Sequence, residues 1–96
     1  MRKIQTLQEL QDHLSRLSVT EPNRYWQTLH SLIPIIRYTK QYTHQKDIAP
    51  YLDIHPSKLS TFMIMTQALL TNTIDNSHID MEALKDEIRR KWWVHA

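Results

Sequence analysis

The chain contains no glycine and no cysteine among its 96 residues. Average proteins carry about 7% glycine, so the first absence is informative. It removes glycine-rich phosphate loops, P-loops and dinucleotide fingerprints. It also removes the preferred residue of the tight turns in β-hairpins. Without cysteine there is no disulfide framework, no thiolate metal site and no cysteine nucleophile. Long apolar runs are missing too, and none approaches the roughly 20 residues that cross a bilayer. The opening stretch, residues 1–10, has two cations but no continuous apolar segment after them, so it does not read as a secretory signal. A cytoplasmic protein without membrane association is expected. Excess charge is small, a formal net of +2, and alone it does not point to a polyanionic partner.

What is present favours helix. Leu, Gln, Lys, Arg, Met and Ala are good helix formers, and a chain of this length holds one modest core. The expectation is a single all-α, compact multi-helix domain over 1–96, with a central helix-turn-helix flanked by N- and C-terminal helices. Its parts are an N-terminal helix at 6–18, scaffold and helix-turn-helix at 22–70, and a C-terminal docking or dimerisation helix at 79–93.

Thr6 with Glu9 three residues on is a capping-box start. Leu7, Leu10, Leu14 and Leu17 then form one narrow stripe. Such a stripe packs on the domain's own core or forms a short coiled-coil seam with a second copy. Pro22 suits the first turn of the next helix, which carries Tyr25, Trp26, Leu29, Leu32, Ile33, Ile35 and Ile36. Pro34 within it predicts a kink or two helices meeting near residues 31–34. Ile79, Asp80 and Leu84 have hydrophobic-staple spacing around a cap. Leu84, Ile88 and Trp92 continue that stripe, and Asp86–Arg90 and Glu87–Lys91 are acid-before-base pairs at helical spacing.

The stretch 43–63 organises the chain. Thr43 is a candidate N-cap. Ile48, Ala49 and Leu52 give one apolar face, and Asp53 stands where that helix must stop. Pro56 suits the start of a second helix, whose inward face is Leu59, Phe62 and Met63. Pro50, inside the first helix, predicts a kink or a loosened turn. The residues Gln45, Ala49, Ile54, Leu59, Ser60 and Phe62 resemble the helix-turn-helix of the phage-repressor class, that of Cro and lambda repressor. The family usually has glycine at the turn where this chain has Asp53, a residue that tolerates positive φ better than most. The Leu-rich continuation through residue 70 also resembles, over fewer residues, the helix-turn-helix of ParB-type partition proteins.

The first resemblance implies sequence-specific binding to double-stranded DNA by a small transcriptional regulator, a homodimeric repressor acting sterically. On that likeness His55, Ser57, Lys58 and Thr61 face bases in the major groove, Lys58 being the candidate guanine contact. Thr43 and Gln45 lie where the backbone is met, and Arg37, Lys40 and Lys46 take phosphates. The charge pattern is compatible, since Arg24, Arg37, Lys40 and Lys46 lie between Glu21 and Asp47 with no acid among them. A partition or conjugation factor would use the same surface. An antitoxin or an inhibitor encoded by a mobile element would instead use the fold as a protein-binding adaptor. That partner would dock through Met63, Ile64, Met65, Trp92 and Trp93, which are costly to leave in water. Residues 62–65 are apolar on every side of a helix and are expected to be buried all round, by the N-terminal helix, the C-terminal helix or a second copy of the chain. The six histidines lack the spacing that puts two ligands on one helix face. No nucleophile elbow or apolar carboxylate pair is present, so no metal, no cofactor and no enzymatic activity are expected.

Overall fold

The structure is a computed structural model that describes residues 3–66 and 77–93. Helix α1 spans Leu7–Thr20, α2 Pro22–Ser31 and α3 Ile33–Thr39. Helix α4, Gln45–Ile48, runs directly into a 3₁₀ turn at Ala49–Leu52; α5 spans Pro56–Thr66 and α6 Met81–Trp92. The protein is thus an all-α multi-helix domain with a central helix-turn-helix between N- and C-terminal helices. The expected continuation of α5 through 67–70 and the polar loop at 71–76 lie outside the described residues. Among the described residues no helix is long and apolar enough to cross a membrane.

The α1 start is capped from two sides. The Thr6 hydroxyl accepts from the Glu9 N–H at 3.1 Å. The Glu87 carboxylate of α6 accepts from the Leu7 N–H at 2.6 Å, which satisfies a donor that a helix start otherwise leaves open. Glu87 is therefore turned to α1 and not to Lys91 as its spacing predicts. Asp86 pairs with Arg89 at 2.5 Å instead of with the Arg90 side-chain charge. The ammonium of Lys91 lies over the rings of Tyr51 and Trp92.

Leu7, Leu10, Leu14 and Leu17 are all buried within the single chain. Each such burial stabilises by about 1.5–3 kcal/mol. The stripe is consequently spent on the core, which removes α1 as a coiled-coil seam. Leu29, Leu32, Ile35 and Ile36 supply the opposing side, and Leu84 and Ile88 of α6 close it. Pro34 cannot follow α2 without its ring meeting the carbonyl four residues back. The chain answers with a joint at Leu32, φ −93° and ψ 3°, and Pro34 falls in the first turn of α3. At the far end Asp80 caps α6 by accepting from the Ala83 N–H at 3.1 Å, with Ile79 and Leu84 both buried. Ile4, ahead of α1, ties the chain to the α6 start. Ile4 donates to the His78 carbonyl at 2.9 Å and accepts from the Asp80 N–H at 2.8 Å.

Residues 62–65 differ from expectation. Met63 is buried and Phe62 half-buried, but Ile64 is 70% exposed and Met65 64% exposed. In the single chain nothing among the described residues covers that side of α5.

Candidate nucleic-acid interface

The helix pair is built from local chemistry. His44 occupies the cap position of α4 without a side-chain capping bond. Thr43, the expected cap, stands one residue ahead of that position, and its hydroxyl donates to the Asp47 carboxylate. That bond, first among several causes, holds the Asp47 carboxyl below its ordinary range. Pro50 has no N–H to give, and the helix tightens to 3₁₀ geometry at Ala49 without breaking. Ala49 is fully buried, and the Ile54 N–H reaches back to its carbonyl at 3.4 Å.

Asp53 then turns the chain with φ 54° and ψ 48°, in the left-handed region. Two flanking helices fasten this turn. The Ser18 hydroxyl of α1 donates to the Asp53 carboxylate at 2.9 Å. The Tyr25 hydroxyl of α2 makes a forked donation to the carbonyls of Leu52 at 2.8 Å and Asp53 at 3.0 Å. Burial, and then the Asp53 charge, push the Tyr25 phenol up to about 12. Gln45 adds a link between the motif helices, its amide donating to the Ser60 hydroxyl at 2.9 Å.

The second helix starts at His55, whose Nδ1 accepts from the Ser57 N–H at 3.1 Å and lies 2.8 Å from the Ser57 hydroxyl. His55 therefore serves first as a helix cap. Thr61 donates to the Ser57 carbonyl at 3.2 Å, which leaves its oxygen lone pairs outward. Ser57, Lys58 and Thr61 are exposed and lie together along one groove of about 520 Å³, with Trp26, Phe62 and Met65 as the other lining residues.

The remaining sequence-predicted residues lie apart from that groove. Lys46 is exposed in the first turn of α4, Arg37 is exposed on α3, and Lys40 is exposed at the α3 end. Among the described residues none of Arg37, Lys40, Lys46 and Lys58 takes part in an ion pair. Gln45 and Thr43 are half-buried and engaged within the motif.

Sequence reasoning placed Tyr25 and Trp26 in the scaffold segment but did not assign Tyr25 to the turn or Trp26 to the groove. A signal existed. Tyr25, Leu29 and Leu32 recur at helical spacing and are buried. Trp26 is one residue off that stripe, and it is 45% exposed with its ring 5.8 Å from that of Phe62. Among the described residues no group of three or more His, Asp or Glu is placed to hold a metal. Comparison with protein-family models, with curated proteins and with solved structures gives no match.

Proposed function

We propose that this chain binds double-stranded DNA sequence-specifically as a small transcriptional regulator, a homodimeric repressor that occludes its site. One observation carries the reading: a tightly fastened helix-turn-helix presents Ser57, Lys58 and Thr61 unobstructed on its second helix. A helix of that kind fits the major groove, where hydroxyls and an ammonium meet base edges. Lys46, Lys40 and Arg37, none of them in an ion pair among the described residues, are suited to phosphate oxygens. The likeness to the phage-repressor class supports the same reading through Ala49, Ile54 and Leu59.

Selection of bound sequences from a random duplex pool tests it. The expected result is enrichment of a palindrome with half-sites one helical turn apart. Affinity for it should fall log-linearly with salt. Failure to enrich any sequence, with flat salt dependence, refutes the proposal. A second reading, a protein-binding adaptor, is favoured by the exposure of Trp26, Ile64 and Met65. Under that reading, binding to DNA is absent or weak and sequence-blind.

A further inference from the structure

Helix α5 offers two neighbouring ridges to the outside. Ser57, Thr61 and Met65 are spaced four apart and form one, and Lys58 and Phe62 form the next. The first turns of this face are polar and the last are apolar. Trp26 of α2 makes the opposite wall of the groove. It is held in place edge-on by Tyr25 at 5.1 Å, and His30 meets Phe62 edge-on at 6.4 Å. The lining includes one cation, two hydroxyls and no carboxylate. Trp26 and Met65 keep much of their surface in water, so the fold of the single chain does not account for their size and apolarity.

A helix lying in the major groove passes base edges that are not uniformly polar. Thymine places a C5-methyl beside its O4 acceptor. Phe62 lies one turn from Lys58 and sets apolar surface beside a donor, as that pairing needs, and three of the six lining residues are the ones assigned above to bases. We propose that the groove between α2 and α5 takes the C5-methyl edge of a pyrimidine, thymine in ordinary DNA, beside the base read by Lys58. Phe62, Met65 and Trp26 enclose the methyl, and the Lys58 ammonium, whose three N–H groups are unpaired among the described residues, also donates to the O4 next to it. This inference rests on the DNA-binding reading and adds one feature of the site that the reading does not itself require.

The test replaces thymine by deoxyuridine, one position at a time, in the duplex that the full chain selects. Only the methyl is lost. The expected result is a drop of roughly fourfold at one position in each half-site, the worth of one buried methyl. In Met65→Ala and Trp26→Ala proteins, checked for native helix content by circular dichroism, the same replacement should cost less than twofold. The inference is overturned if no replacement weakens the wild type twofold, or if both variants show the full loss. It is also overturned if Met65→Ala leaves DNA affinity intact but dissolves a dimer, which would make the groove a protein contact. If no duplex is enriched at all, the DNA reading falls and this inference with it. If one is enriched but its methyls are ignored, only this inference falls.

Discussion

The Tyr25 hydroxyl of α2 reaches two carbonyls at the bend between the motif helices, those of Leu52 and Asp53. Tyr25→Phe leaves the buried Leu52 carbonyl short of a donor, so a loss of about 1–3 kcal/mol is expected by urea unfolding. The pH dependence checks the cause. The folded phenol titrates at about 12 and the unfolded one at about 10, so its contribution is complete below 10 and is lost as pH rises through 12. Tyr25→Phe should lack that alkaline arm. His13 gives the acid counterpart. Its ring lies 5.5 Å from that of His78, and the Nε2 atoms of both are buried with no hydrogen-bond partner among the described residues. Burial first, then the charges of His78, Arg16 and Arg24, lower the His13 value below 6.5. Below about 6.5 the unfolded chain therefore holds more protons than the folded one, and stability falls with falling pH. The urea midpoint should be lower at pH about 5.5 than at about 7.5, and His13→Gln should shrink that difference. An equal drop in both proteins would place the acid sensitivity at another group.

The turn at Asp53 shows how much of an element a sequence discloses. Its left-handed backbone follows from the need to stop one helix and open another within three residues, and Asp is tolerated there. Asp53→Ala should cost about 1–2 kcal/mol, from left-handed strain and the lost Ser18 bond. Asp53→Gly should recover the backbone part; equal losses in urea unfolding would show that the conformation is not what Asp53 relieves. Helix starts at Thr6, Pro22 and Asp80 were readable because each has a local cause in a hydroxyl, a ring or a carboxylate. The start of α4 was not, because the cap position falls on His44, which makes no side-chain capping bond, one residue past the hydroxyl that would have signalled it. The exposure of Ile64 and Met65 was not readable either. Periodicity says which residues share a face but not which neighbour arrives to cover it, and an all-apolar run has no face to assign. Trp26 belongs to the same class, since its place in the groove depends on where α5 crosses α2.

At the scale of the whole molecule, α6 is part of the one core and not an appendage. It contributes Leu84 and Ile88 to the interior and the carboxylate that accepts from Leu7. A chain stopped after Ser77 should therefore lose its cooperative unfolding transition, and a folded product would contradict this placement. With the α1 stripe also inside, a dimer must use other exposed surface, such as Val19, Ile64 or Trp93. The salt slope can count copies without locating that contact. Each phosphate neutralised on B-DNA contributes about 0.9 to the slope of log affinity against log salt. Lys40 is exposed at the end of α3 and outside the groove, so on the proposed reading it meets backbone only. Lys40→Ala should weaken all duplexes alike and reduce the slope by about 0.9 for one bound chain, or about 1.8 for two. Lys58→Ala should instead flatten the preference among bases and cost about 1–3 kcal/mol on the selected site, with little change on others. A Lys40 variant that altered base preference, or a Lys58 variant that only changed the slope, would exchange the two roles and move the reading edge off α5.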